Sequence, residues 1–308
     1  VGPTGIGKTA VAGRLAQRVA MEAVSADSRQ VYRGMDIGTG KPTPQERAAL
    51  PHHLLDVVDP DERYHAARFR REALASIGEI RRRGRLAAVV GGTGLYVRAL
   101  LKGLVPAPPA DPALRRELEQ FVRARGAPAL HARLAGVAPD AAARLHPNDR
   151  VRIVRALEIH LRAGASAAAG PAGEGSWRGG APDHRLLMVG LRQSRERLNQ
   201  RLAERAREMV ARGMMEEVRR LLEAGYGSEL PSMGGIGYRQ FSAVLRGRMT
   251  EDEALRLMIR DTQRYAKRQL TWFRQDPEIR WLDVDQAGGL EGTADAVYKL
   301  MMEEGLIE

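Results

Sequence analysis

GPTGIGKT, residues 2–9, is the stretch on which the fold reading turns. It fits G-x-x-x-x-G-K-[ST], in which backbone N–H groups wrap a phosphate, the Lys reaches its oxygens and the final hydroxyl binds Mg²⁺. Gly5 and Gly7 permit the tight backbone path, and the apolar helical pattern after Thr9 points the positive end of a helix at the anion. That pattern argues against the blander alternative of a Gly-rich structural turn. The chain opens at Val1, one position before the loop, so the strand expected ahead of the loop, with any targeting signal before it, lies outside this sequence.

Working outward, residues 1 to about 105 alternate short apolar runs with amphipathic stretches. AVSADS, HHLLDVVDP and LAAVV read as strands between helices, an α/β pattern with a parallel sheet. From about 106 the texture turns helical, beginning where Asp111 caps a helix and Pro112 takes its first position. The stretch 163–183 is low-complexity Gly and Ala, expected to be a mobile loop. RLLMVGL resumes a strand, a long helix follows from about Ser194 to Ala224, and a last long helix starts at Thr250 with Glu253 completing a capping box. IRWLDVD reads as the final strand, and no internal repeat is visible. The expected organisation is a discontinuous catalytic core, 1–106 and 186–308, interrupted by an all-helical insertion, 107–185.

With 308 residues and 44% hydrophobic content, the chain can bury a sizeable core. The longest apolar runs, 86–90 and 186–191, fall far short of the roughly 20 residues of a membrane span. No Cys is present, which excludes disulfides, Cys-ligated zinc and thiol nucleophiles and fits a reducing compartment such as the cytosol. The net charge is +11, and 44 of the 49 basic residues are Arg. A GC-rich genome accounts for part of that bias, but a pI near 10.4 favours a polyanionic partner.

Phosphate binding alone leaves several reactions open, since ATPases, small-molecule kinases and transferases with a diphosphate leaving group all need such a cradle. The Mg-binding Asp strand of an ATPase is poorly matched: HHLLDVVDP offers Asp56 and Asp59 but carries two His and ends in Pro. Two other residues fall at the carboxyl edge of the sheet, where open α/β folds bind ligands. Asp27 follows the first strand, and Thr93 sits in a turn whose Gly91, Gly92 and Gly94 let a substrate approach the backbone. Each has an alternative reading as a turn residue. A carboxylate beside a bound diphosphate can take a proton from an incoming nucleophile, a geometry suited to transfer to an acceptor.

Basic residues recur at helical spacing in Arg256, Arg260, Arg264, Lys267 and Arg268, with Tyr265, Trp272 and Phe273 nearby. They read as a nucleic-acid-contacting stripe. Arg150, Arg152 and Arg155 open another helix, capped by Asn148 or Asp149, while His146 and His160 read as structural. PSMGGIGYRQ delivers Tyr238 and Arg239 from a Gly-rich turn, a pair able to stack on and clamp a splayed nucleotide.

Taken together, GPTGIGKT, SADSRQVYRGMDIGTGKP, PHHLLDVVDP, VGGTGLYVRALLKGL, HPNDRVRIVRALEI, EVRRLL, GGIGYRQ and AKRQLTWFR resemble the tRNA dimethylallyltransferase (tRNA isopentenyltransferase, IPP transferase) family, in family order over nearly the whole chain. The resemblance implies a P-loop NTPase-like parallel sheet flanked by helices, with an all-helical tRNA-binding insertion. It also implies transfer of a dimethylallyl group from dimethylallyl diphosphate to the exocyclic amine of the adenine beside the anticodon, with Mg²⁺. By carry-over, Gly2, Pro3, Thr4, Gly5, Ile6, Gly7, Lys8 and Thr9 hold the diphosphate, Thr9 binds Mg²⁺, and Arg219 contacts the diphosphate. Asp27 is the general base, and Thr93 positions the reacting groups. Asp27, Ser28, Arg29, Gln30, Thr93, Arg115, Val151, Arg152, Ile153, Val154, Arg155, Gly234, Gly235, Ile236, Gly237, Tyr238 and Arg239 fall on tRNA-contacting positions.

The implied partner is the tRNA anticodon stem-loop, met by a cytoplasmic monomer with no membrane association. Three departures stand out: the first strand is absent from this sequence, the Gly/Ala run replaces a more polar segment, and the absence of a Cys-containing zinc extension suggests a bacterial or organellar form. The rival readings are a free-adenylate isopentenyltransferase, a P-loop small-molecule kinase and a non-catalytic RNA-binding protein.

Overall fold

The computed structural model describes residues 1–104, 107–163 and 185–307, in two compact units: residues 1–100 with 184–308, and residues 101–183. The expected loop at 163–183 lies almost wholly outside the described residues. In the first unit, α1 (Lys8–Ala16) starts directly from the Gly-rich loop. β1 (Met21–Ala26) is buried at all six positions, as a parallel strand covered on both faces requires. α2 (Pro44–Ala49) has a full capping box between Thr43 and Glu46. β2 (His52–His53), α3 (Ala66–Arg82), β3 (Leu86–Gly91) and α4 (Gly94–Lys102) follow.

The strand expected over HHLLDVVDP shrinks to its first two residues. Leu54 and Asp56 take left-handed φ of 63° and 56°, which ends any extended run. Asp56 accepts from Lys41 at 2.5 Å and Arg47 at 3.0 Å, and Asp59 pairs with Arg33 at 3.1 Å. Both carboxylates are therefore held in ion pairs of their own loop.

The second unit contains α5 (Pro112–Val137), broken by a non-helical Gly126 at φ 81°, α6 (Pro139–Ala143) and α7 (Arg150–Ala163). Asp111 caps α5 through Ala113 and Leu114 N–H, and Asp149 is the residue that accepts from Arg152 N–H at the head of α7. Leu118, Leu130, Leu134, Ile153 and Leu157 form its fully buried core.

Inside this unit Glu158 is completely buried, accepting from Asp111 N–H at 2.5 Å, Arg115 at 2.7 Å and Arg155 at 2.5 Å. Burial pushes its carboxyl up, but the hydrogen bonds from Arg115 and Arg155 more than reverse this and hold it at about 2. A depressed carboxyl contributes stability that is present above the ordinary value of 4.5 and lost as pH falls toward 2. Glu158→Ala is expected to cost about 3 kcal/mol near neutral pH, the low end for a cut buried pair because its Arg partners are a third exposed. The variant should also flatten that part of the acid-unfolding curve, which circular dichroism melts between pH 2 and 6 will show.

The first unit resumes with β4 (Val189–Arg192), α8 (Arg195–Ala211) and α9 (Met214–Glu223). One helix was expected over 194–224, but Gly213 at φ 99° divides it. α10 (Tyr238–Leu245) and α11 (Glu251–Phe273) come next, the latter capped by Thr250, which accepts from Glu253 N–H at 3.2 Å. After β5 (Arg280–Asp283) comes α12 (Gly289–Glu303), which the sequence reading did not anticipate. Its Ala294, Val297 and Met301 join Val11, Ala12 and Leu15 of α1 in one core.

All strand pairs are parallel, in two sheets ordered β2-β1-β3 and β4-β5. Val1 lies along β4, its N–H donating to Val189 at 2.7 Å and its carbonyl accepting from Leu191 at 3.0 Å. The Gly-rich loop therefore leaves at the same carboxyl edge where β1 and β3 end. The rung Ala26↔Gly91 sets Asp27 and Thr93 side by side just past it.

Candidate active site

The loop takes the path its glycines foretold. Gly5 and Gly7 sit at φ 76° and 98°, Gly7 being the N-cap of α1, so the first helical N–H groups stay unsatisfied inside the turn. Lys8 folds over the loop, its Nζ donating to Gly2 O at 3.0 Å and Pro3 O at 2.7 Å. Burial pulls its ammonium down to about 8, partly offset by the Asp27 charge and reinforced by Arg205. An anion in the loop favours the charged form. Inorganic diphosphate is thus expected to bind with constant affinity below pH 8 and up to about tenfold more weakly per unit above it. Calorimetry corrected for the ligand's own ionisation reads this out.

Asp27 is a turn residue that also faces a cavity. Oδ1 accepts from Arg29 N–H at 2.8 Å and Gln30 N–H at 3.4 Å, shaping the turn. The residue also lines a cavity of about 290 Å³. Thr93 Oγ1 accepts from Ser28 N–H at 3.0 Å, tying the turn after β3 to the turn after β1. The glycines of that turn are required by the protein's own packing. A Cβ at Gly91 would strike the Ala26 carbonyl, at Gly92 the Gln269 amide and at Gly94 the Trp272 indole.

The cavity joins Thr4 and Asp27 at one side to Leu202, Ala206, Met209 and Met258 at another. Arg205 of α8 lines it too, a half-buried cation whose charge is felt by both Lys8 and Asp27. Burial lowers the Arg205 guanidinium while Asp27 pulls it back up. The sequence reading passed over Arg205, although it occupies the apolar stripe Leu198, Leu202, Met209 of its helix, where a charge is out of place. Tyr265 of α11 also faces the cavity, its phenol pushed up to about 12 by burial and then by the Asp27 charge.

Arg29 donates to the Pro231 and Ser232 carbonyls at 2.7 and 3.2 Å, and Gln30 to Gly40 O at 3.1 Å. Gly234, Gly235 and Ile236 line the cavity. Tyr238 is not free to stack on a base: it is 1% exposed, with its hydroxyl donating to Glu217 at 2.6 Å. Glu217 in turn accepts from Asp36, Ile37 and Gly38 N–H, a structural hub unseen in the sequence. Arg239 pairs with Asp261 at 2.5 Å, as does Arg260 at 2.9 Å, which leaves Arg256, Arg264, Lys267 and Arg268 as the less neutralised part of the α11 stripe. Trp272 stacks under Arg98 and Phe273 is buried. Arg219 lies on an exposed part of α9, paired with Glu216, and is not among the residues lining the cavity. Within the helical unit, Arg115 and Arg155 bind Glu158, Arg152 binds Asp149, Ile153 and Val154 are buried and Val151 is 74% exposed.

No group of three or more His, Cys, Asp or Glu suited to a metal occurs among the described residues. None of the described helices is long and apolar enough to cross a membrane.

Comparison with known proteins places the chain among relatives of one kind. A family model described as IPP transferase matches residues 30–276, and one described as isopentenyl transferase matches residues 1–56. The tRNA dimethylallyltransferases of Geobacter metallireducens and Geobacter sulfurreducens are 51% and 52% identical, each match covering 92% of this chain and 90% of the relative. Among solved structures, the full-length tRNA isopentenylpyrophosphate transferase of Bacillus halodurans is 39% identical with a TM-score of 0.70, covering 99% of this chain and 96% of that one. A eukaryotic dimethylallyltransferase, captured acting on tRNA, is 30% identical with a TM-score of 0.73, over 92% of this chain and 72% of that one. A match through residues 30–276, and relatives this similar over nine-tenths of their own length, leave one conclusion: the chain belongs to the IPP transferase family.

Proposed function

We propose that the protein transfers a dimethylallyl group from dimethylallyl diphosphate to the exocyclic N6 amine of the adenine adjacent to the anticodon in tRNA, releasing diphosphate. The observation that carries this reading is one cavity that holds a carboxylate, a half-buried cation whose charge reaches Lys8 of the phosphate loop, and an apolar wall. The wall suits an apolar prenyl tail, and a carboxylate facing the cavity supplies the proton acceptor that transfer to an amine needs.

In this reading the loop amides, Lys8 and Arg205 bind the diphosphate, and the prenyl tail lies against Leu202, Met209 and Met258. The N6–carbon bond forms as the carbon–oxygen bond breaks, the electron pair leaves with the diphosphate oxygen, and Asp27 takes the N6 proton. An adenine amine is a weak nucleophile, so extruding the base and accepting its proton both help. Cations fixed where the leaving charge grows stabilise the transition state without reorganising.

Thr9 is the hydroxyl that would hold Mg²⁺, an ion that binds sparsely through few protein groups, and no carboxylate cage for it occurs among the described residues. When bound, the ion adds charge neutralisation on the leaving group. The α11 stripe, the 234–239 turn and the helical insertion 107–185 supply the tRNA contacts, and the protein acts as a cytoplasmic monomer.

Side-by-side acceptor assays test this reading. With labelled dimethylallyl diphosphate and Mg²⁺, label is expected on unmodified tRNA and not on free adenylate. Label on free adenylate alone would select the nucleotide prenyltransferase, and transfer of phosphate from ATP would select a kinase.

A further inference from the structure

Gln269 of α11 is 6% exposed and sits in the buried stripe Met258, Ala266, Phe273 of its helix. A polar side chain there must find partners, and it finds two of opposite kind. Its Oε1 accepts from Thr4 N–H in the phosphate loop at 2.8 Å, and its Nε2 donates to Gly92 O at 2.8 Å. The partner identities fix the amide's orientation, because an N–H needs the oxygen and a carbonyl needs the nitrogen. Gly92 precedes Thr93, whose hydroxyl holds the backbone beside Asp27. One amide therefore spans the gap between the diphosphate cradle and the segment carrying the base, and Gly92 has no room for a Cβ because that amide fills it.

We infer that Gln269 is a positioning residue for prenyl transfer, setting the spacing between the bound diphosphate and Asp27, and so acts on the transfer step rather than on the binding of either substrate. The inference rests on the transferase reading above. A misplacement of about 1 Å between reacting groups can cost about a hundredfold in rate. Among side chains of this length, Gln alone donates and accepts at once without first taking up a proton.

Gln269→Glu tests this through a pH profile. The carboxylate keeps the shape and the acceptor for Thr4 but turns a lone pair toward Gly92 O; protonated, it regains the donor and matches Gln bond for bond. Burial raises the pH at which that happens. Titratable and charged groups on the joined elements include Lys8 on the loop, Asp27 after β1, Arg98 on α4, and Asp261, Arg264, Tyr265, Lys267 and Arg268 on Gln269's own helix. A carboxylate introduced beside Lys8 holds its ammonium charged to higher pH, which lifts the variant at pH 8 and so works against the rise expected on acidification.

The expected result is a variant-to-wild-type kcat ratio that rises about tenfold or more from pH 8 to pH 6. Gln269→Leu should lose kcat by about ten- to a hundredfold at every pH, with KM for dimethylallyl diphosphate within about threefold of wild type. Thermal melts of both variants show whether the fold is kept, and Gln269→Leu carries the kcat-against-KM test should Gln269→Glu not fold. A pH-flat ratio for folded Gln269→Glu with an active wild type, or a Gln269→Leu loss confined to KM, overturns this inference alone. A wild type that transfers no prenyl group overturns the function and this inference with it.

Discussion

Asp27→Asn is expected to lower kcat for prenyl transfer by about 10²–10⁴-fold, the range of a lost general base, while diphosphate affinity stays within about twofold. The substitution separates the two jobs of this side chain. Asn keeps an oxygen that can accept from Arg29 and Gln30 N–H, so the turn beyond β1 and the Thr93 contact with Ser28 survive. What is lost is the basic oxygen in the cavity. Asp27→Ala should lose activity and also melt earlier, because the turn loses its acceptor. Single-turnover transfer with calorimetric diphosphate binding distinguishes the two, and Asn activity near wild type would remove Asp27 as the base.

Arg205→Gln is expected to cost about 10²–10³-fold in kcat/KM, comparable to deleting one preorganised donor at a developing oxyanion. The hydrogen bonds among the described residues include none to this guanidinium, which lies against Gly40 and senses Asp27 and Lys8. A desolvated cation without a fixed partner is held for a ligand's charge. Unlike Asp27→Asn, this variant should bind inorganic diphosphate more weakly, and unchanged binding would place Arg205 outside the diphosphate site. Arg219→Gln, on the exposed face of α9, is the informative control.

Much of this was readable because some residues do only one thing. The loop glycines with Lys8 and Thr9 leave little else to be, and the apolar runs of β1 and β3 set Asp27 and Thr93 at one edge once the strands are parallel. Other features were hidden by their dual use. Arg205 and Gln269 sit at positions where helical spacing calls for an apolar side chain, and a polar residue inside an apolar stripe is the signal that finds them. Gly92 and Gly94 read from sequence as room for a substrate, and tertiary contacts with Gln269 and Trp272, which no local pattern reveals, also require them. Tyr238 carries the composition of a stacking residue but is claimed by Glu217, a partner 21 positions away that no local pattern reveals. The break at Gly213 and the strand lost after His53 depend on left-handed backbone, which hydrophobic periodicity does not report.

The central claim is that the loop binds a leaving diphosphate while its prenyl group goes to an RNA base. The protein incubated with Mg²⁺, dimethylallyl diphosphate and unmodified tRNA, followed by nucleoside digestion and mass spectrometry, tests this most directly. An adenosine heavier by one five-carbon prenyl unit, mapped beside the anticodon and formed in equal amount to released diphosphate, is the predicted result. Unchanged adenosine with intact dimethylallyl diphosphate would contradict it.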